Sequence, residues 1–292
     1  METVCKIRIS VDWCKFVDST LNIAHRGNRS LAPENTLAAA RKGLEAGANL
    51  WELDVALSAD GIPYLVHDDT LERTSNVAEI FPERRPWRTH QFSLAELRQL
   101  DFGAWFNATD PFGQIAAGNV SAAEQAGYVG EPAPTLEEAL AFTRESDWRV
   151  NVELKDLSGT PGEAVIVETV AALIEQMGMV ERVIISSFNH DYLRRVKAAN
   201  PNLVTAALVF APVADAAAWL RELQAKALNP NPESIDLAAI DPLRAQGFGV
   251  NVWTVNDEAL MRRLIEARAS GIFTDFPHVL ASILAKCRVE AK

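Results

Sequence analysis

The sequence lacks the features that define several classes of protein. It has only three cysteines, Cys5, Cys14 and Cys287, and an odd number without metal-ligand spacing argues against a disulfide framework or a structural zinc site. Its 28 basic residues face 39 acidic ones, and a net charge of −11 argues against nucleic acid or anionic lipid as a partner. No apolar run has the length of a membrane span, and the N-terminus lacks the apolar stretch of a signal peptide. We therefore expect a cytoplasmic protein with no stable membrane insertion, and leave a homo-oligomer open.

Short β-branched apolar runs alternate with amphipathic helical patterns, which predicts βαβ units and a parallel sheet. IPYLVHD (62–68) breaks the alternation. Only about five residues separate it from the preceding strand, whereas a parallel crossover needs about a dozen. The turn-forming SADG (58–61) therefore predicts an antiparallel hairpin that brings His67 across from about Asp54. The remaining runs have the number expected of a (β/α)₈ TIM barrel: 21–25, 50–57, 149–155, 182–187, 203–210, 226–229, 249–255 and 271–275.

The stretch 69–135 replaces a simple crossover between two of these strands. It contains one expected helix (93–100), followed by loop sequence with the exposed-looking aromatics Trp105, Phe106, Phe112 and Tyr128. Long irregular insertions in compact domains are usually functional or mobile. We expect a single domain over residues 1–292, with this insertion capping the C-terminal face of the barrel.

Two carboxylates interrupt the otherwise apolar strand NLWELDVAL (49–57). Because residues i and i+2 of a strand share a face, Glu52 and Asp54 point together, away from their apolar neighbours. Glu153 has the same place in the third barrel strand, toward the strand end at which barrel enzymes build their active sites. Facing carboxylates repel one another unless a cation lies between them, and their oxygens suit Mg²⁺ or Ca²⁺. We expect one such cation, although an edge strand with a solvated face would also explain Glu52 and Asp54.

Cationic and imidazole side chains are expected at the same rim. The first strand ends in His25 and Arg26 and the third in Lys155, and two cations beside a metal suggest a phosphate-bearing substrate. His25 and His67 could transfer protons on either side of it, because imidazole titrates near neutral pH. Taken singly, Glu153 and Lys155 could form a structural ion pair, and His67 could be a surface-turn histidine.

The order of the motifs resembles that of the glycerophosphodiester phosphodiesterase family, over about residues 23–280. The matching motifs are HRG (25–27), PENT (33–36), ELD (52–54), DGIPYLVHD (60–68), VELK (152–155), SSF (186–188), VWTVN (252–256) and TDFP (274–277). The resemblance implies a TIM barrel that hydrolyses glycerophosphodiesters to glycerol 3-phosphate and an alcohol. It implies an acid–base pair (His25, His67), metal ligands (Glu52, Asp54, Glu153), phosphate contacts (Arg26, Lys155) and pocket residues (Phe188, Trp253).

Other interpretations stay open beside this one. An apolar trough formed by the insertion would favour a lysophospholipase D-type phosphodiesterase. A non-catalytic barrel that acts as a binding module would usually show a broken ligand or histidine set. An enolase-type proton abstraction with Lys155 as base is disfavoured, because no large capping domain precedes the first strand. Within PENT, Asn35 is expected to cap the following helix, and Glu34 could brace a catalytic residue.

Overall fold

The computed structural model describes residues 20–290, so Cys5 and Cys14 lie outside the described residues. Its parallel strands close on themselves because the first strand pairs with both the second and the last. One further strand adds to the second in the antiparallel sense. The predicted (β/α)₈ barrel is confirmed, with these strands: β1 (Leu21–Ala24), β2 (Leu50–Leu57), the antiparallel β3 (Pro63–Leu65), β4 (Val150–Leu154), β5 (Val183–Ser187), β6 (Val204–Val209), β7 (Ala227–Pro230), β8 (Gly249–Val252) and β9 (Gly271–Thr274).

A helix follows every strand of the barrel, and the crossover after β2 also carries the insertion. Among the described helices, none combines the length and the apolar character needed to cross a membrane. The helices are α1 (Leu37–Glu45), α2 (Val77–Ile80), α3 (Leu94–Leu97), α4 (Ala104–Thr109), α5 (Ala122–Tyr128), α6 (Leu136–Glu145), α7 (Ile166–Gln176), α8 (His190–Ala199), α9 (Ala216–Glu222), α10 (Leu237–Ala245), α11 (Glu258–Glu266) and α12 (Pro277–Glu290).

The hairpin predicted from SADG is present. Its turn is closed by a hydrogen bond of 2.6 Å from Ser58 Oγ to Asp60 Oδ1, and Gly61 adopts a φ of 78°. The backbone N–H of Val66 donates to the carbonyl oxygen of Asp54 at 3.1 Å. Val66 therefore lies across from Asp54. His67, which was predicted at about that position, is the next residue along the chain.

The outward face of β2 packs beneath the helices. The indole of Trp51 is fully buried, stacks on Trp148 with ring centroids 6.2 Å apart, and donates to Thr143 Oγ1 at 2.9 Å. On the inward face, Leu50 lies two residues before Glu52. It packs in an apolar cluster inside the barrel, called the apolar plug, which consists of Leu21, Ile23, Leu50, Ile184, Ala206, Ala227 and Phe273. The alternation of β2 thus places the carboxylates directly above an apolar layer.

The helix cap at the start of α1 differs from the prediction. Thr36, rather than Asn35, is the N-cap, because its side chain accepts from the backbone N–H of Ala39. Asn35 adopts a φ of 57°, a left-handed conformation that asparagine tolerates better than most residues. Its side chain is thereby free to point toward β2, where it meets Asp54.

The insertion packs against the loop after β1 and the start of α1. Phe106 and Tyr128 are buried there, which corrects the expectation that they are exposed, and the Tyr128 hydroxyl donates to the carbonyl oxygen of Leu31 at 2.8 Å. Phe112 meets Phe276, just after β9, with ring centroids 5.5 Å apart. These contacts place the insertion at the C-terminal end of the barrel.

Replacement of Trp51 by alanine removes the indole from a fully buried site, so we expect Trp51→Ala to lower the free energy of unfolding by about 3–5 kcal/mol. Urea unfolding followed by circular dichroism measures the change. Val129→Ala is the control, because Val129 is 60% exposed and its truncation should change stability by about 0.5 kcal/mol or less. A Trp51→Ala variant as stable as the control would contradict the packing described for β2.

Candidate active site

Three carboxylates converge inside the barrel, two from the middle of β2 and one from the end of β4. Asp54 pairs in register with Glu153, and Glu52 lies one step before them on the same face. Each of the three offers an oxygen within 4.8 Å of the others. Burial, and then repulsion from Asp54 and Glu153, raises the pKa of Glu52 well above its ordinary value, and burial and Asp54 likewise raise the pKa of Glu153. The cluster holds more negative charge than its neighbours neutralise, which fits a divalent cation.

Two cationic side chains border the carboxylates. The guanidinium Nε of Arg26 lies 3.2 Å from Asp54 Oδ2, and the backbone N–H of Arg26 donates to Glu52 Oε2 at 2.8 Å. The ammonium of Lys155 lies 2.9 Å from Glu153 Oε1 and 3.6 Å from Asp54 Oδ1. Burial alone would raise the pKa of Asp54, but Arg26 and Lys155 outweigh it and hold that pKa at about 2. Asp54 is therefore ionised at neutral pH.

Asn35 fixes the orientation of Asp54 in a reciprocal pair of hydrogen bonds. Its amide nitrogen donates to Asp54 Oδ2 at 2.9 Å, and its amide oxygen accepts from the backbone N–H of Asp54 at 3.1 Å. Both residues are almost completely buried. The loop before α1 thus supplies a residue that keeps one carboxylate of the cluster in place.

His25 follows β1 and is held by a carboxylate at the end of β9. Its Nδ1 lies 2.7 Å from Asp275 Oδ1, and the other Asp275 oxygen accepts from Asn256 Nδ2 at 2.7 Å. Burial and the neighbouring Arg26 lower the pKa of His25 although Asp275 raises it. The imidazole is therefore neutral at pH 7, with its proton on the nitrogen that faces Asp275 and Nε2 as a proton acceptor.

His67 follows β3 and also has a carboxylate partner. Its Nδ1 lies 2.6 Å from Asp68 Oδ1, and Arg73 holds the second oxygen of Asp68 at 2.6 Å. The imidazole is one-third exposed and lies close enough to Asp54 and Glu153 to interact with both electrostatically. The structure therefore places His67 beside the carboxylate cluster.

Aromatic side chains form a wall at the same end of the barrel. Phe188 and Trp253, both identified from the sequence, contact each other with ring centroids 5.3 Å apart. The indole N–H of Trp253 donates to the carbonyl oxygen of Asn229 at 2.7 Å. Phe210 stacks on Phe188 at 4.2 Å and is 69% exposed, so the wall extends beyond the predicted pair to the surface.

A family model of the glycerophosphoryl diester phosphodiesterase family matches residues 25–279. The chain belongs to this family. It is 34% identical over 267 residues to a glycerophosphodiester phosphodiesterase of Caldanaerobacter subterraneus, an alignment that covers 91% of this chain and 98% of the relative. It is 30% identical over 274 residues to a glycerophosphodiester phosphodiesterase of Bacillus subtilis, covering 91% and 87%. The predicted enzyme class, a glycerophosphodiester phosphodiesterase, is confirmed.

Solved structures of similar proteins agree with this assignment. An Oleispira antarctica phosphodiesterase in complex with the product sn-glycerol-3-phosphate superposes with a TM-score of 0.75 at 28% identity, covering 94% of this chain and 99% of that one. A structure from Silicibacter pomeroyi reaches a TM-score of 0.82 at 24% identity, covering 94% and 98%. The second likeness supports the fold alone.

Several residues around the site of this phosphodiesterase were not predicted as functional from the sequence. Asp275 ends a predicted strand, so its position at the barrel rim was a usable signal. Phe210 also ends a predicted strand, but an apolar residue there is not distinguished by its type from the core residues before it. Arg29 and Arg73 lie in loops, whose spatial neighbours cannot be inferred from periodicity.

The pKa of Asp275 gives a prediction for stability against pH. Burial raises it, but His25, Arg29 and Asn256 outweigh burial and lower it. The ionised carboxylate therefore stabilises the fold above the pKa of an unfolded aspartate, about 3.9, and this contribution is lost as the pH falls through the lowered value. We expect Asp275→Asn to cost about 1.5–3 kcal/mol near pH 7, and less near pH 3.

Urea unfolding at both pH values measures this difference. Asp147→Asn is the matched control, since the Asp147 side chain is 88% exposed and pairs only at the surface with Arg182. Its effect should stay within about 0.5 kcal/mol at either pH. An Asp275→Asn penalty that grows on acidification would refute the assignment of Asp275 as an ionised partner of His25.

Proposed function

We propose that this enzyme hydrolyses glycerophosphodiesters to glycerol 3-phosphate and an alcohol in a metal-dependent reaction. The observation that carries the proposal is the buried carboxylate cluster, which lies among two cationic side chains and two histidines that each have a carboxylate partner. The similarity to enzymes named for this activity supports it. We assign the activity to a single domain made of barrel and insertion, in the cytoplasm.

The residues that would hold the cation are Glu52, Asp54 and Glu153. Their oxygen ligands favour Mg²⁺ or Ca²⁺ over softer metals. When bound, such a cation supplies Lewis-acid stabilisation of negative charge on the phosphoryl oxygens. The raised pKa of Glu52 and of Glu153 shows that burial and mutual repulsion disfavour their ionised forms, which a bound cation would stabilise.

Arg26 and Lys155 would bind the phosphate group. Both lie against Asp54, and neighbouring carboxylates, acting against burial, raise the pKa of each cation, so both remain protonated at physiological pH. Their positions are fixed by ion pairs before substrate arrives, so little reorganisation accompanies binding. Phe188 and Trp253 would contact the carbon skeleton of the glycerol or of the leaving group.

His25 and His67 would carry out the proton transfers. The neutral form of His25, with Nε2 available, suits removal of a proton from the nucleophile. His67 would then protonate the departing alkoxide as the bond between phosphorus and the alcohol oxygen breaks. The nucleophile is either water or the 2-hydroxyl of the substrate, the latter through a cyclic phosphate that water then opens.

The proposal is tested with a panel of glycerophosphodiesters and lysophospholipids, assayed with several metals by release of glycerol 3-phosphate. We expect turnover of glycerophosphodiesters, its abolition by a chelator, and its recovery with Mg²⁺ or Ca²⁺. Lysophospholipids belong in the panel because exposed Phe210 extends the aromatic wall outward. Full turnover after exhaustive chelation would exclude the metal assignment, and the absence of product from every compound would favour a binding module.

Removal of either histidine should lower kcat by about 10²–10⁴-fold, the usual contribution of a general acid or base. His25→Ala and His67→Ala are therefore compared with wild type in steady-state assays with saturating metal. His90→Ala is the control, because His90 lies in the helical turn Thr89–Gln91, outside the candidate site. A variant of His25 or His67 with a kcat within about twofold of wild type would remove that residue from the proposed chemistry.

A further inference from the structure

We propose that Glu34 is a positioning residue that joins the two candidate proton-transfer histidines through two chains of ion pairs. The inference rests on the proposed function, which assigns proton transfer to His25 and His67. Glu34 itself contacts neither imidazole. It acts through arginine and aspartate side chains that reach each histidine from opposite sides of the site.

Glu34 is held by three guanidinium groups. Its side chain is only 2% exposed, and its carboxylate lies 2.8 Å from Arg26 Nη1, 2.9 Å from Arg29 Nη2 and 2.7 Å from Arg73 Nη2. Burial would raise the pKa of Glu34, but the arginines outweigh it and hold that pKa far below its ordinary value. A permanently ionised carboxylate thus neutralises part of a cluster of cations that would otherwise repel one another.

One chain runs from Glu34 to His67. Arg73 bridges two carboxylates, since it contacts both oxygens of Glu34 and donates from Nε to Asp68 Oδ2 at 2.6 Å. Asp68 then holds His67 Nδ1 at 2.6 Å. The fork geometry of the guanidinium fixes the plane of Asp68, and through it the imidazole.

The second chain runs from Glu34 to His25. Arg29 contacts Glu34 through Nη2 and lies 3.7 Å from Asp275 Oδ1 through Nη1. That same oxygen of Asp275 holds His25 Nδ1 at 2.7 Å. The ring of Phe112, from the insertion, covers the Arg29 guanidinium with its centroid 5.3 Å away, so the insertion helps to hold this chain in place.

A neutral side chain of the same shape cannot replace Glu34. Glutamine would present an amide N–H₂ to one guanidinium and leave the cluster with one negative charge fewer. Arg29 and Arg73 would then move apart, and Asp275 and Asp68 would shift with them. Small displacements of a proton-transfer group reduce turnover much more than substrate binding, because the reacting geometry is demanding.

The test compares Glu34→Gln with wild type in kinetics and in histidine-ring ¹H–¹⁵N NMR of the metal-free protein. With five histidines in the chain, each ring can be assigned by single substitution. We expect kcat to fall about 10–100-fold, and the ring nitrogens of both His25 and His67 to shift. Glu131→Gln is the matched control, since Glu131 lies in the insertion, accepts the backbone N–H of Ala38 in α1 at 3.1 Å, and should move neither ring.

Variants of the single chains keep the inference testable if Glu34→Gln does not fold. Arg73→Lys retains the charge but loses the fork, so it should shift the His67 ring and leave His25 in place. Arg29→Lys should do the reverse. Rings that fail to move in Glu34→Gln, or single-chain variants that do not separate the two histidines, would overturn the inference. A wild type without phosphodiesterase activity would instead refute the proposed function, because the NMR shifts do not depend on turnover.

Discussion

Charge held away from water is the constraint on which the active-site end of this barrel depends. A buried carboxylate is tolerated only where nearby cations or hydrogen bonds replace the water that it has lost. Glu34 and Asp54 meet that condition, since neighbouring arginines and Lys155 lower the pKa of each. At Glu52 and Glu153 the cations and hydrogen bonds do not outweigh burial and repulsion, and the pKa values of both rise. Glu52 and Glu153 belong, with Asp54, to the cluster that we propose to hold a divalent cation.

The barrel makes this arrangement possible by confining it to one end. The alternation of β2 sends Trp51 outward into a stacked aromatic pair and Glu52 inward above the apolar plug. Stability therefore comes from packing outside the barrel and from the apolar layer inside it. The layer of side chains above, which contains Glu52, can carry charge. Parallel pairing of β2 with β4 aligns Asp54 beside Glu153, so a register shift of one residue would separate the two carboxylates.

The features that could be predicted from the sequence are those that short-range rules determine. The period of two assigned the inward faces of the strands, and the short SADG connection required a hairpin, so Glu52, Asp54 and His67 could be expected together. Local preference was insufficient at PENT, because Asn35 and Thr36 are both good helix caps. The choice between them depends on Asp54, the tertiary partner of Asn35. Within the insertion, the burial of Phe106 depends on contacts with the distant loop after β1, which no local pattern encodes.

The two histidines are chemically distinct although each has an aspartate on Nδ1. His25 is buried beside Arg26, a cation that works against its protonation. His67 is one-third exposed and lies beside the carboxylates Asp54 and Glu153. These different surroundings support the proposal that His25 removes a proton and His67 donates one. Ion pairs connect both aspartates to Glu34. A single buried carboxylate therefore positions both imidazoles.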